Sequence, residues 1–457
     1  MQTPNTESCG RGLRLVRNTE AVQEPTKVPA AANLGIFEGR SLSRDRLLLD
    51  FEQLRRGLYL SGKPRTGKST AMLNLVLHDF AHGRGACVID PHGELIEQIV
   101  ERLPIQHYAD LDRVVVFDPA NLERPIGIDL LDAKNCFEED HAIQFMIEVI
   151  ERITPPFARG PVLFQCVRNT MRLLFETRGR LTDIPQLLTS PAAVMPVLKS
   201  VSDPMLRRYW EDVWPPLATS HDGESALAYV TSKFSQFIED RCLRNIFGQR
   251  DGLDFRRVID QGQLLLVDLR RGTLGSHRSQ FLGLVVLHCL ERAVMRAPAS
   301  GRGGFSVYID EVHEFDVENL RRMTTAFPKQ QVALIMANQS INDLGDRLGE
   351  AVLGSTANFL ILRQGLGAAS RLEELTQPRF DDRDLMALED HHAVYRGDVR
   401  SRRSARIVLR PPPRALHDAR AVTEIRRAGA AMIGREKRQV EAMIAASLAS
   451  RDIEENP

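Results

Sequence analysis

The tightest constraint on this chain is the run Gly62-Lys63-Pro64-Arg65-Thr66-Gly67-Lys68-Ser69, which fits G-x-x-x-x-G-K-[ST] at every fixed position. An apolar stretch, Gly57-Leu-Tyr-Leu-Ser61, precedes it, and an amphipathic pattern over Ser69–His82 follows. The motif therefore reads as a strand, a glycine-bearing turn and a helix. Glycine admits close backbone approach, while loop amides and a helix N-terminus favour negative charge. Residues 62–70, ending in Thr70, are thus expected to cradle a nucleoside polyphosphate. Lys68 would reach the β- and γ-phosphates, and Ser69 would hold Mg²⁺. A βα turn that binds nothing is the alternative.

The rest of the chain supplies a scaffold for such a turn. Short apolar runs recur at Ala86–Asp90, Val114–Asp118, Leu264–Asp268, Phe305–Asp310, Val332–Met336 and Phe359–Leu362, with helical patterns between most of them. Runs of this kind predict an α/β fold with a mainly parallel central sheet covered on both faces. Several end in Asp, and ligands of open α/β sheets bind beyond the carboxyl ends of strands, so the acidic ends mark one functional edge.

Between about 135 and 250 the strand signal gives way to helical patterns at Glu138–Ile153, Val162–Thr177, 192–209 and Glu224–Asp240, punctuated by prolines. The expected division is a flexible arm over 1–33, a first part of the sheet domain over 34–134, an inserted all-α domain over 135–250, a second part over 251–414 and a charged helical tail over 415–457. Within the second part, Ala393–Arg396 and Ala405–Leu409 read as strand, turn, strand. The tail is expected to be solvated or to contact a partner.

Composition excludes several classes. With 43% hydrophobic and 26% charged residues the chain is neither disordered nor collagen-like. Its 60 basic residues balance 60 acidic ones, so overall charge does not predict a nucleic-acid partner. The six cysteines form no C-x-x-C pair and read as reduced core residues of a cytosolic protein. The longest apolar stretch, Leu282–Leu290, is far below the roughly twenty residues of a membrane span, so no integral membrane segment is expected.

Phe305-Ser-Val-Tyr-Ile-Asp310-Glu311 is an apolar strand closing in two carboxylates. Beside a phosphate cradle, Asp310 would stand next to Mg²⁺ and Glu311 would orient or deprotonate an attacking water, which implies hydrolysis. Strand ends also carry Asp for capping alone. The next apolar run ends in Asn338-Gln339-Ser340, where Gln339 either senses the γ-phosphate or merely terminates a strand.

Four segments together carry a resemblance: the phosphate-loop motif, Val88-Ile-Asp90-Pro-His92-Gly-Glu-Leu95, the stretch from Leu264 through Arg270-Arg271-Gly272 to Phe281-Leu-Gly-Leu284, and the Asp310-Glu311 and Asn338-Gln339-Ser340 pair. Over roughly residues 34–410 the chain resembles the HerA/FtsK superfamily of ring ATPases, and looks most like the TraG/TraD-type coupling proteins of conjugation. The resemblance implies a RecA-like P-loop NTPase domain with an all-α insertion. It also implies ATP and Mg²⁺ at the interfaces of a homohexamer, with DNA in the central channel. Preference for ATP over GTP rests on it alone. Lys68, Glu311 and Gln339 would be catalytic and Ser69 and Asp310 would hold the metal. Asp90 and His92 would lie at the nucleotide edge without an assigned step, His92 reading equally as a residue that orders a tight turn.

Two departures stand out. Relatives usually carry N-terminal membrane helices and none is expected here, so the chain is expected in the cytoplasm, docked at the inner membrane only through a separate partner; a relaxase or secretion-channel protein is an expected partner of the motor. Many also place an arginine before the sensor strand, where this chain has Phe327-Pro-Lys329-Gln330; Lys329, Arg321, Arg322 and Arg363 are the alternatives for the finger that reaches a neighbour's ATP. Contacts to the DNA backbone without sequence reading are expected from Arg270–Thr273 or from Arg396, Arg400, Arg402, Arg403, Arg406, Arg410 and Arg414, although the latter group also reads as a solvated hairpin or a subunit contact. A HerA-like DNA-processing or defence ATPase, and a nucleotide-gated recruitment platform that moves no DNA, are the competing functions.

Overall fold

The computed structural model describes residues 31–38, 46–105, 108–131, 139–153, 161–219, 221–296, 304–315, 317–399 and 402–452. Strands β1 (Ala32–Phe37), β2 (Arg46–Leu49), β3 (Leu58–Ser61), β4 (Gly85–Asp90), β5 (Val114–Phe117), β6 (Leu264–Asp268), β7 (Phe305–Ile309), β8 (Val332–Asn338), β9 (Asn358–Ile361), β10 (His392–Val399) and β11 (Arg402–Leu409) form one 11-stranded sheet in the order β2-β1-β11-β10-β9-β3-β8-β7-β4-β6-β5. From β9 to β5 every pairing is parallel, and from β9 to β2 every pairing is antiparallel.

The parallel strands are apolar runs because both of their faces are covered. Leu58 and Leu60 of β3, Val88 of β4 and Leu266 of β6 pack with Met72, Val76, Ile96 and Ile99 of the helices Lys68–Ala81 and Glu94–Arg102. Tyr59, Cys87, Ile89 and Val267 point to the other face, where Val285, Val286 and Leu290 of the helix Ser276–Arg296 cover them. This i, i+2 division is the pleat of a strand buried on two sides.

The expected helical stretch is present as Glu139–Ile153, Pro161–Glu176, Ile184–Thr189, Pro191–Leu198, Pro204–Arg208, His221–Ile238 and Arg241–Phe247, among shorter turns. Two of its prolines start helices: Ser190 caps Ala193 ahead of Pro191, and Asp203 caps Met205 and Leu206 ahead of Pro204. Buried Ile150, Val167, Trp210, Trp214 and Val230 are continuous with the core of the second sheet face.

Three features differ from the sequence reading or fall beyond it. The first described strand, β1, begins at Ala32, and the expected arm lies outside the described residues except at its last positions. β1 and β2 are antiparallel additions that the short runs near 34–49 did not reveal. The helix Ala419–Ala431 packs one face on β5, with Val422 and Ile425 in the core, and leaves Arg420, Thr423 and Arg427 exposed. No disulfide forms among the described cysteines, Cys87, Cys166, Cys242 and Cys289, all of which are buried. Among the described residues no helix is long and apolar enough to cross a membrane.

Candidate nucleotide site

β3 ends at Ser61, and the chain turns through Arg65, at φ 64°, and Gly67, at φ 119°, before the helix begins at Lys68. Gly67 is required twice over, by its φ and because a Cβ there would stand 2.7 Å from Leu409 Cδ1. Neighbouring strands pin the loop: Gly62 N donates to Asn338 O at 3.2 Å, Lys63 N to Arg363 O at 2.9 Å, and His391 N to Thr66 O at 2.9 Å. Thr66 Oγ1 donates to Lys63 O at 2.7 Å and closes the loop on itself. Lys63, Pro64 and Arg65 are exposed, Thr66, Gly67 and Lys68 are buried, and Ser69 and Thr70 are half-buried at the first turn of the helix.

Lys68 Nζ donates to Gly62 O at 2.5 Å and reaches Lys63 O at 3.5 Å, so its ammonium lies folded over the mouth of the loop. Burial pushes its pKa down, while the nearby Glu311 and Asp310 carboxylates oppose that shift. Lys68 and Asp310 are therefore on the same edge, although β8 separates the strands that bear them.

Asp310 follows β7 and is buried; desolvation, with Asp90 and Glu311 beside it, pushes its pKa up to about 7. Glu311 takes the left-handed conformation at φ 45° and ψ 57°, turning its side chain out of the strand line. Gln339 Nε2 donates to Glu311 Oε1 at 3.1 Å, whereas Glu311 Oε2 is buried and accepts no hydrogen bond. Such a crowded acidic pair beside a lysine, with one oxygen unsatisfied, fits a site built to receive a cation and a water. Ser69 and Asp310 are the residues here that would hold Mg²⁺.

Asp90 serves a different purpose. Its carboxylate accepts from His92 N at 2.8 Å, Leu95 N at 2.9 Å and Ile96 N at 3.1 Å, capping the helix Glu94–Arg102. Burial nevertheless raises its pKa. His92 is exposed at the tip of that turn. One strand over, in register with Asp90, buried Asp268 pairs with Arg270 at 2.8 Å and with Arg426.

The four finger alternatives separate by position. Arg322 is paired with buried Glu291 at 3.1 Å, Arg321 with Glu318 at 2.7 Å, and Arg363 with Asp390 at 2.7 Å beside the phosphate loop of its own chain. Lys329 is exposed on the turn that precedes β8, at the sheet edge opposite the loop. Of the hairpin arginines, Arg396 lies 5.9 Å over the Phe359 ring and Arg406 is 3.8 Å from Glu38, while Arg400 lies outside the described residues.

Sequence reasoning did not single out His313, Gln364 or Arg426. His313 Nδ1 donates to Asn338 Oδ1 at 2.6 Å, and Ser61 Oγ donates to Gln364 Oε1 at 3.2 Å. No spacing rule joins residues so far apart, although His313 does stand two positions after Glu311.

No family model and no curated protein matches the chain. Solved structures do. The bacterial conjugative coupling protein TrwBΔN70 aligns over 84% of this chain and 96% of its own, with a TM-score of 0.58 at 14% identity. TrwB in complex with ADP and Mg²⁺ gives 0.59 at 15% identity over 84% and 95%. VirB4 of Thermoanaerobacter pseudethanolicus gives 0.57 at 15% identity over 83% and 97%. The chain thus shares the RecA-like P-loop fold of the conjugative coupling protein TrwB and of VirB4.

Proposed function

We propose that this chain is a motor ATPase of the conjugative coupling-protein type, which hydrolyses ATP at the interfaces of a homohexamer and moves DNA without reading its sequence. The observation that carries this reading is the convergence of Lys68, Asp310, Glu311 and Gln339 on one sheet edge, where Lys68 feels both carboxylates and Gln339 holds Glu311. TrwB, the coupling protein of this fold, is known with ADP and Mg²⁺ and with a non-hydrolysable ATP analogue.

In this reading Lys68 leaves the Gly62 carbonyl for the β- and γ-phosphates, joined there by the loop amides. Ser69 and Asp310 would hold Mg²⁺, which would supply charge neutralisation on those phosphates. Glu311, fixed by Gln339, takes the proton of the attacking water, and its unsatisfied Oε2 is the atom available for that bond. Gln339 connects the γ-phosphate position to β8, so the loss of that phosphate is felt along the strand. In this reading the helical unit is the element that receives a relaxase or secretion-channel partner. Placement is cytoplasmic, with membrane docking through such a partner.

A titration of ATPase rate against single- and double-stranded DNA, with native mass measurement in ATP, tests the proposal. Acceleration by DNA together with a six-membered ring supports it. Slow, DNA-indifferent turnover would mark a recruitment platform instead.

A further inference from the structure

The turn after β7 carries more than its two carboxylates. Val312–Glu314 forms one 3₁₀ turn directly after Glu311, and this turn carries His313 and Glu314. His313 Nδ1–H donates to Asn338 Oδ1 at 2.6 Å, an orientation fixed because Asn338 Nδ2 donates to Ser340 O at 2.8 Å. The same Nδ1 lies 3.4 Å from Glu311 Oε2, the oxygen that accepts no hydrogen bond. His313 therefore touches both the carboxylate and the strand end from which Gln339 orients it.

On the other side of the ring, Nε2 stands 3.2 Å from Glu314 Oε1. Glu314 is nearly buried and forms an ion pair with Arg271 through its second oxygen, to which Gln280 also donates at 3.3 Å. Phe315 locks this turn down: a Cβ on Gly283 of the helix Ser276–Arg296 would fall 2.2 Å from its ring. Arg271 opens the short helix Arg271–Leu274 after β6. The segment around it is solvent-facing: Gly272, Thr273, Gly275, Ser276, His277 and Arg278 are exposed, and open space surrounds Gly272 and Gly275. Arg278 is already paired with Asp240. The Arg271 side chain is 27% exposed although its Nε and Nη2 are buried, so a phosphate backbone reaching this open turn meets a guanidinium whose buried side is turned to the carboxylate that also faces His313.

We propose that His313 is a positioning residue for Glu311, coupling that carboxylate to nucleic-acid phosphate contact at Arg271 through Glu314, the group both side chains share. A phosphate that draws off Arg271 removes the main counter-charge of Glu314, which then competes for the His313 ring and for Gln280. The ring sits between Glu314 and Asn338, so its movement shifts Nδ1 against Glu311 Oε2 and disturbs the strand end from which Gln339 holds Glu311. This inference rests on the motor reading above and names the route by which DNA would regulate that site.

Two substitutions divide the roles of the ring. The amide nitrogen of His313→Asn falls near Nδ1 and retains a donor to Asn338, but cannot span to Glu314. That of His313→Gln falls near Nε2 and keeps the reach toward Glu314. For the full chain, kcat and KM for ATP are measured without DNA and with saturating poly(dT) or plasmid duplex, and DNA affinity is measured by fluorescence anisotropy. The expected result is that the ratio of kcat with DNA to kcat without it falls to about one in His313→Asn, with KM for ATP and DNA affinity as in the unmodified chain. His313→Gln is expected to recover part of the acceleration, and Glu314→Gln to lose it as His313→Asn does. Full acceleration in His313→Asn or in Glu314→Gln would overturn the coupling and reduce His313 to a local support for Asn338. An unmodified chain indifferent to both DNAs would overturn the motor reading and the coupling with it, an outcome distinguishable from failure of the coupling alone.

Discussion

Gln339 Nε2 lies 3.1 Å from Glu311 Oε1, so the end of β8 orients a carboxylate that belongs to the end of β7. Glu311 leaves its strand in a left-handed conformation that few non-glycine residues adopt, and this hydrogen bond fixes its Oε1 while His313 stands at its Oε2. Gln339→Ala should therefore lower kcat for ATP by roughly tenfold to a hundredfold with little change in KM, since it disturbs the orientation of a base rather than phosphate binding. Steady-state phosphate release at several ATP concentrations checks this.

Gly93 has φ 79°, and a Cβ there would stand 2.7 Å from Arg270 Nε and 2.9 Å from Asp268 Oδ1. Gly93→Ala combines backbone strain with intrusion on a buried ion pair, and should cost about 1–3 kcal/mol. Urea unfolding measures it.

Arg426 reaches from the helix Ala419–Ala431 to Asp118 at 3.0 Å and to the fully buried Asp268. Burial works against the Asp268 charge, yet hydrogen bonds from Arg270 and Arg426 hold its carboxyl below the usual range. Arg426→Ala leaves Arg270 to carry that charge alone, so a loss of about 2–3 kcal/mol is expected. Increased protease cleavage ahead of residue 419 would show that the C-terminal helix has come loose.

His288 stacks on Phe145 at 3.9 Å, joining the helix Ser276–Arg296 to the helix Glu139–Ile153. Burial, with Arg292, Arg322 and His141 nearby, pushes its pKa down to about 3. Its native pKa lies below its unfolded one, so only the unfolded chain takes up this proton between about pH 6.5 and 3. The stabilisation is complete above that window and is lost as pH falls through it. His288→Leu should flatten the dependence of Tm on pH between about 6.5 and 4, as differential scanning fluorimetry would record.

Much of the scaffold was legible because it rests on local chemistry. The Gly62–Ser69 motif places a turn by its glycines, and continuous apolar runs such as Leu264–Asp268 and Val332–Asn338 can be long only where both faces are covered. β1 and β2 escaped notice because their burial is irregular: Ile36 and Arg46 are exposed, and a register shift falls between Asn33 and Gly35. The pairs His313–Asn338, Ser61–Gln364 and Asp268–Arg426 join segments brought together only by strand order, which periodicity does not encode. Asp90, expected at the nucleotide edge, caps a helix there, a role that its place before Pro91-His92-Gly93 would have allowed as an Asx-type turn.

Single-turnover phosphate release from Mg²⁺-ATP by the unmodified chain and by Glu311→Gln tests the central claim most directly. The account predicts cleavage by the unmodified chain, and a rate about 10²–10⁴-fold lower in Glu311→Gln with nucleotide affinity retained. Equal rates in the two proteins, or no cleavage by the unmodified chain with and without DNA, would contradict it.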